Sequence, residues 1–247
     1  FRYLYRADLY FLILIGLGRT DIEHPWLFDR CKMVEQDPDG YLDLWAREHY
    51  KSTIITYAKT IQDILASHGD DPLECWEGKE PTFGIFSHTR PIAKGFLRQI
   101  KREFESNTVL REAFPDIIWA NPQADSPKWS EDEGIVLKRK SNPKEGTVEA
   151  YGLVDGQPTS KHFDVLVYDD IVTDKSVHTM DMIRKTTDAL ALSYNLGAKG
   201  GKRRFIGTRY HFSDSYREVI RRETAIERRF PATEDGSIEG DAVFLDK

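Results

Sequence analysis

Two hydrophobic periods alternate along this chain. Short apolar runs bounded by turn residues are typical of buried strands, and they cover residues 41–45, 82–86, 165–168 and 204–206. Between them, apolar residues recur at helical spacing. The two best-marked helices have their apolar positions at Ile54, Ala58, Ile61 and Leu65, and at Ile92, Phe96, Ile100 and Phe104. Strands that alternate with helices predict a mostly parallel sheet with helices on both faces.

The remaining segments complete this α/β pattern. An apolar helical segment is predicted over residues 1–18, and further helices over 178–195 and from Ser213 onward. Residues 147–153 form a weaker strand prediction, and 115–143 are rich in Pro, Asn, Asp and Ser, which indicates a loop or a small hairpin. The sequence therefore predicts one large α/β domain, with room for at most a small appendage in 247 residues.

Composition narrows the function classes. The net charge of -6 argues against a constitutive sequence-specific DNA-binding module, although a motor could still grip DNA transiently through a local basic patch. The longest apolar run, Leu9–Ile15, is too short to span a bilayer, so no membrane segment is expected. The seven histidines lack the spacing of a zinc site.

Three predicted strand ends carry polar groups. The loop after residue 45 leads to Lys51 and Ser52 at a helix start, where a phosphate loop needs its lysine and its magnesium-binding hydroxyl. The usual glycines are replaced by Trp45 and Tyr50, and a side chain at a left-handed position costs about 1–2 kcal/mol. An ordinary solvated helix start is the alternative interpretation.

The other two strand ends add carboxylates and a cation. Asp169 and Asp170 follow four apolar residues, a pattern that suits a magnesium-linked carboxylate and a second one that polarises water. Such pairs also occur as plain strand ends or helix caps. Residues 207–211, Gly-Thr-Arg-Tyr-His, provide a hydroxyl and a cation that could sense a phosphate, or they form a simple turn. The order of the three segments matches an ATPase core.

In this order the sequence resembles the phage terminase large subunit. Residues 45–53 look like that family's variant Walker A loop, with Arg47 four positions before Lys51. Residues 162–170 are similar to its Walker B region, and residues 206–211 to its coupling motif. The resemblance spans about residues 20–235 and departs from the family at Tyr50, where glycine is commoner. It implies a P-loop NTPase fold of the additional-strand (ASCE) type.

The resemblance also implies roles for individual residues. ATP is expected to bind to residues of the loop, namely Arg47, Glu48, His49, Tyr50, Lys51, Ser52 and Thr53, with adenine near Trp26. Catalysis is assigned to Lys51 on the phosphates, Arg47 on the γ-phosphate and Asp170 on the attacking water. Ser52 and Asp169 would hold Mg²⁺. Gly207, Thr208 and Arg209 would couple hydrolysis to movement.

Domain organisation and partners follow from the same resemblance. Residues 1–235 would form the motor domain, with an N-terminal helical segment over 1–20, and residues 236–247 would begin a linker to an RNase H-like nuclease domain, so no nuclease activity is expected here. The implied partners are double-stranded DNA bound without sequence preference, the portal protein, the small terminase subunit and further copies in a ring on the procapsid. Lys161, Arg139 and Arg102 are candidates for a cation donated to a neighbour. The expected location is the cytoplasm of an infected bacterium rather than the virion.

Three alternatives remain open on the sequence. A helicase-like nucleic-acid translocase would share the logic of Lys51 and Asp169. A scaffold with a decayed nucleotide site is favoured by Trp45 and Tyr50, and opposed by the retention of the lysine, the serine and both aspartates. A plain α/β interaction domain with accidental motifs is the third.

Overall fold

The computed structural model of the protein describes residues 1–76 and 78–245, and within them eight strands form one sheet. The strands are β1 Tyr41–Trp45, β2 Phe83–Ser87, β3 Trp129–Ser130, β4 Gly134–Ile135, β5 Val148–Gly152, β6 Phe163–Asp169, β7 Gly197–Gly207 and β8 Ile226–Phe230. Their order across the sheet is β3-β4-β5-β2-β6-β7-β1-β8. Neighbours from β5 to β8 are parallel, whereas β4 pairs antiparallel with β3 and β5.

The predicted mostly parallel α/β sheet is confirmed, with differences in two strand ends and in one additional strand. β6 begins two residues before the predicted run, at Phe163, and β7 begins at Gly197 instead of 204. The edge strand β8 was not predicted at all. The segment 115–143, predicted as a loop or hairpin, contains a short helix and the hairpin formed by β3 and β4.

Helices cover both faces of the sheet. The α-helices of the described residues are α1 Arg2–Ala7, α2 Leu9–Phe11, α3 Pro25–Gln36, α4 Lys59–Ser67, α5 Arg90–Ser106, α6 Thr108–Ala113, α7 Pro122–Asp125, α8 Met180–Ser193 and α9 Ser215–Arg221. Two π-helical turns, Leu12–Gly16 and Thr53–Ala58, extend α2 and precede α4. In these described segments, none of the helices has both the length and the apolar character that a membrane crossing requires.

The N-terminal helical segment is interrupted instead of continuous. Asp8 has an extended backbone, with φ -137°, and this residue separates α1 from α2. Its carboxylate accepts a hydrogen bond from the N–H of Phe11 at 3.0 Å and so caps the second helix.

Two apolar cores lie on opposite faces of the sheet, and β6 contributes to both. Val165 and Val167 pack in the core with α1 to α5, while Leu166 and Tyr168 pack in the core with α8 and α9. This alternation follows from the period of two along a strand. A central parallel strand is therefore buried on both sides, which is why its sequence reads as a continuous apolar run.

The buried face of α5 differs from the predicted one. Ala93, Leu97, Ile100 and Phe104 face the core, whereas Ile92 is exposed. The prediction followed the largest apolar side chains, but the small residue Ala93 lies on the face that packs closely against β5 and β2.

An ion network centred on the buried side chains of Arg204 and Asp63 joins α4 to β7. Arg204, in β7, donates to Asp63, in α4, with 2.7 Å between Nη2 and Oδ2, and to Asp39 with 2.7 Å between Nε and Oδ1. Lys59 also pairs with Asp63. Burial raises the pKa of Asp63, but the charges of Lys59 and Arg204 outweigh it and hold this pKa below its ordinary value. The network fixes the helix that follows residue 52 against the central strands.

His68 ends this helix in a buried position, and it gives the stability a pH dependence. Burial lowers the pKa of its imidazole from 6.5 to about 4. The unfolded chain therefore takes up this proton first as the pH falls, and stability is lost between pH 6.5 and 4. We expect this histidine to account for about 3 kcal/mol of the loss.

The measurement is urea unfolding of wild type and His68→Gln at several pH values from 8 to 4. The difference in the free energy of unfolding should shrink as the pH falls, because only the wild type loses this term. Other titrating groups act alike in both proteins. Parallel pH profiles would contradict the expectation.

Candidate functional site

The predicted site segments meet at one edge of the sheet. Because β1, β6 and β7 are parallel, their carboxyl ends lie at the same edge. The loop with Lys51 follows β1, the Asp169–Asp170 pair ends β6, and Gly207 ends β7. β7 lies between the other two strands. Segments that are more than 100 residues apart in sequence thus form one cluster.

The loop between β1 and the following helix has two left-handed residues. Glu48 has φ 61° and Tyr50 has φ 59°. Trp45, which stands at the first glycine position of the usual pattern, is instead a buried residue of β1 whose indole N–H donates to Asp43 at 2.9 Å. The left-handed residues alternate with His49, and this kind of alternation turns successive backbone N–H groups toward one side, as in anion-binding nests.

Lys51 starts the helix behind this loop and is buried, with 7% of its surface exposed. Its positive charge opposes the rise in the pKa of both Asp169 and Asp170. The partial positive charge of the helix start adds to this potential. The loop, the lysine and the helix start together favour a bound anion.

Asp169 is fully buried and is hydrogen-bonded to the helix. Its Oδ1 accepts from the hydroxyl of Ser52 at 2.9 Å, and its Oδ2 accepts from the hydroxyl of Thr56. Burial and the neighbouring Asp170 raise the pKa of Asp169, while Thr56, Ser52 and Lys51 oppose this rise. Thr56 was missed in the sequence, although its spacing of four from Ser52 places both hydroxyls on one helix face.

Asp170 is held in a left-handed conformation, with φ 46°, and its N–H donates to the carbonyl of Ile206 at 2.9 Å. Burial raises the pKa of its carboxyl group, and Lys51 and Arg47 oppose the rise. Its Oδ1 is buried and has no hydrogen-bond partner among the described residues. A non-glycine residue strained in this way, with an unsatisfied carboxylate oxygen, is typical of a functional position.

The oxygen donors of this cluster fit a magnesium ion. Ser52 and Asp169 present hard oxygen ligands 2.9 Å apart, and Asp170 adds an unpaired carboxylate oxygen. Across the described segments, no group of three His, Cys, Asp or Glu side chains could hold a metal alone. Mg²⁺ commonly takes one or two protein carboxylates and completes its shell with phosphate and water, so this donor set is compatible with it.

The segment after β7 is connected to the loop by a tyrosine. Arg47 donates to the hydroxyl of Tyr210 at 2.6 Å, and its guanidinium lies 5.1 Å from the ring centre. Arg209 is turned to its own segment, where its Nε donates to Asp214 at 3.0 Å. Thr208, the residue before Arg209, is half-buried. The structure thus brings Arg47 to this segment. Its partner there, Tyr210, was not among the site residues predicted from the sequence.

Gly207 is required by close packing. A Cβ atom at this position would lie 2.0 Å from the hydroxyl of Tyr216 in α9. That hydroxyl donates to the carbonyl of Ile206 at 3.3 Å, directly below the Asp169–Asp170 pair. The glycine of the predicted coupling segment therefore lets α9 approach the sheet beside the site.

Trp26 lies in an aromatic cluster that includes two residues of the loop and is defined here by His24, Trp26, His49, Tyr50 and Phe244. Phe244 contacts the other four rings with centroid distances from 5.0 to 6.3 Å. It belongs to the predicted linker 236–247, whose described part folds back so that Val243 donates to the carbonyl of Ala232 at 3.0 Å. Residues 246 and 247 lie outside the described residues.

The other predicted site residues line the loop surface or lie elsewhere. Glu48 is exposed and Thr53 is half-buried, and both lie within three residues of Lys51 in the sequence. Lys161 pairs with Glu149 at 2.9 Å and immediately precedes β6, so it lies at the opposite edge of the sheet. A cation donated to a neighbouring copy need not lie near its own loop, so the roles of Lys161, Arg139 and Arg102 stay predictions.

Comparison with known proteins adds no family to this geometry. No model of a known protein family matches the chain, and a search among curated proteins gives no match.

Proposed function

We propose that this chain is the magnesium-dependent ATPase motor domain of a phage large terminase, which moves double-stranded DNA into a procapsid. The observation that carries the ATPase proposal is the 2.9 Å contact between Ser52 and Asp169. A phosphate-loop hydroxyl and a carboxylate at the end of another strand of the same sheet are the two protein groups that hold magnesium in P-loop NTPases. The resemblance to terminases in the three motifs supplies the more specific assignment.

The strand order supports the same class. One strand, β7, separates the strand of the Lys51 loop from the strand of the Asp169–Asp170 pair. An additional strand at this place is what the ASCE-type core requires. The segment that follows β7 then lies next to the phosphate loop, and its Tyr210 accepts a hydrogen bond from Arg47 of that loop.

Each residue has a task in phosphoryl transfer that follows from its position. Lys51 and the loop amides bind the β- and γ-phosphates, and Arg47 stabilises charge on the γ-phosphate. Asp170 orients water so that its oxygen bonds to the γ-phosphorus as the bond to the bridging oxygen breaks. Mg²⁺, when held by Ser52 and Asp169, would neutralise charge on the β- and γ-phosphate oxygens. Gly207, Thr208 and Arg209 pass the phosphate state to the rest of the motor.

The partners rest on the resemblance. They are non-specific double-stranded DNA, the portal protein, the small terminase subunit and further copies of the chain in a ring, in the cytoplasm of an infected bacterium. A helicase-like translocase would use the same site. A decayed scaffold is favoured by one observation, the strain at Glu48 and Tyr50, where glycine would carry no such cost.

The test compares Lys51→Ala with Lys199→Ala, an exposed lysine at the other end of β7. Calorimetric titration with ATP and magnesium should show that Lys51→Ala weakens binding by about 10- to 100-fold, because a charge-assisted hydrogen bond to phosphate is lost. Lys199→Ala should bind like the wild type. Phosphate release by the wild type, measured with and without DNA, distinguishes an active motor from a decayed scaffold. Equal ATP affinity in both variants would refute the assignment of the phosphate loop.

A further inference from the structure

A cleft of about 520 Å³ opens beside the Lys51 loop, and its lining residues Trp45 and Phe230 separate it from Trp26 of the aromatic cluster, which both of them contact. Its walls are the carboxyl ends of β1 and β8 and the segment 209–212. Ala46, at the edge of the cleft, directly precedes Arg47. The volume falls within the range of small-molecule sites, which is about 300–1,000 Å³. No residue of the phosphate-binding set described above has a task in this cleft.

The two aromatic surfaces beside the loop differ in the space that they offer. In the aromatic cluster the rings are already in contact with one another, and Phe244 and Trp26 are stacked with 6.3 Å between their centres. A planar ligand could enter only if these rings moved apart. In the cleft, by contrast, Phe212 is 75% exposed, although a phenylalanine usually buries its ring. It lies against the ring of His211, with 4.3 Å between the centres.

The cleft is linked to the phosphate site through Tyr210. The hydroxyl of Tyr210 accepts a hydrogen bond from Arg47, and Tyr210 lines the cleft together with His211 and Phe212. Phe230, at the end of β8, closes the inner wall and is fixed by Trp45 at 5.5 Å. Aromatic walls and an open end next to a phosphate loop suit a ligand that has a flat ring at one end and phosphates at the other.

We propose that this cleft binds the base of the nucleotide whose phosphates bind at Lys51, and that Phe212 stacks on the base. The proposal rests on the proposed ATPase function and places the base away from Trp26, where the resemblance puts it. The base then contacts the segment that follows β7, including Arg209, which lines the cleft.

The experiment separates the base from the phosphates by comparing two ligands. Magnesium ATP and magnesium tripolyphosphate are titrated into the full chain and into Phe212→Ala by calorimetry. Stacking of a base on an aromatic ring is worth about 1–3 kcal/mol, so Phe212→Ala should weaken ATP binding by about 5- to 150-fold. Tripolyphosphate has no base, and its affinity should not change. Tyr3→Ala, which removes another ring that is 63% exposed, should leave both affinities as in the wild type.

Three other outcomes would contradict the proposal that the base binds in this cleft. If Phe212→Ala binds ATP as tightly as the wild type, or loses affinity for both ligands equally, the base does not stack in the cleft and the inference is overturned. If Phe244→Ala, and not Phe212→Ala, selectively weakens ATP, the base lies at the aromatic cluster and the inference is again overturned. If the wild type binds neither ligand, the proposed ATPase function fails, and the inference fails with it.

Discussion

Asp170→Asn is expected to stop ATP hydrolysis while ATP still binds. The Asp170 carboxylate has one buried oxygen without a hydrogen-bond partner among the described residues, and we expect this group to turn toward the bound phosphates and accept a hydrogen bond from the attacking water. An asparagine keeps the shape but presents an N–H₂ group and loses the negative charge. General-base and positioning groups contribute about 10²- to 10⁴-fold, and we expect phosphate release to fall by this factor.

The matched control is Asp174→Asn, four residues further on, where the carboxylate is largely exposed. It should release phosphate at the wild-type rate. ATP affinity, measured by calorimetry, should stay within a few-fold of the wild type in both variants. If Asp170→Asn hydrolyses ATP normally, the water-orienting role belongs to another residue. If it loses ATP binding and hydrolysis together, Asp170 has a structural role instead.

Arg204→Met is expected to cause the largest loss of stability. The methionine fills much of the same volume, but Asp63 and Asp39 then lose the guanidinium that joins them. Removing one partner of a buried ion pair costs about 3–5 kcal/mol when the remaining charge has no other partner. Because Lys59 still pairs with Asp63, and Lys202 with Asp39, we expect a loss of about 3 kcal/mol, at the lower end of this range. Urea unfolding should show this loss as a lower midpoint with an unchanged slope.

Arg203→Met is the control for this variant because it lies next to Arg204 on the same strand. Arg203 is half-buried and lies over the ring of Tyr194 at 4.6 Å, a contact worth about 0.5–1 kcal/mol. A loss in Arg204→Met no greater than in Arg203→Met would contradict the expected role of the network. The comparison cancels any general effect of placing methionine in β7.

The meeting of the Lys51 loop with the Asp169–Asp170 pair could be predicted from the sequence. Both follow apolar runs, and parallel strands place their carboxyl ends at one edge. Thr56 could also have been found, since it lies one helical turn after Ser52. Tyr210 could not, because its contact with Arg47 depends on how the chain turns after β7.

The edge strand β8 and the first half of β7 could not be predicted from the sequence, for different reasons. Residues 226–230 read Ile-Glu-Arg-Arg-Phe, and the largely buried charge of Arg228 is paired with Asp43 on the neighbouring strand, with 2.6 Å between Nη2 and Oδ2. Residues 197–203 contain three glycines and three cations, a composition typical of a turn. Their pairing with β6 is irregular, because Gly197 pairs with Phe163 and the next pair in register joins Lys202 to Val165.

The left-handed residues of the loop were only half anticipated. The sequence indicated strain at Tyr50, and the structure has it there, but the second strained residue is Glu48 and not Trp45. The usual glycine pattern places its two glycines six residues and one residue before the lysine, at Trp45 and Tyr50. The chain instead continues β1 through Trp45 and then turns within the next five residues.

The edge position of β8 has a consequence for handling the protein at high concentration. Among the described residues β8 pairs only with β1, so the backbone groups on its outer side could accept a strand from another molecule. Ile226 is 64% exposed on this edge, which adds an apolar side chain to the risk of aggregation. Glu227 and Arg229, paired with each other on the same side of the strand, supply charges that an incoming strand would have to desolvate. High salt, which screens charges of this kind, should therefore favour precipitation through this edge.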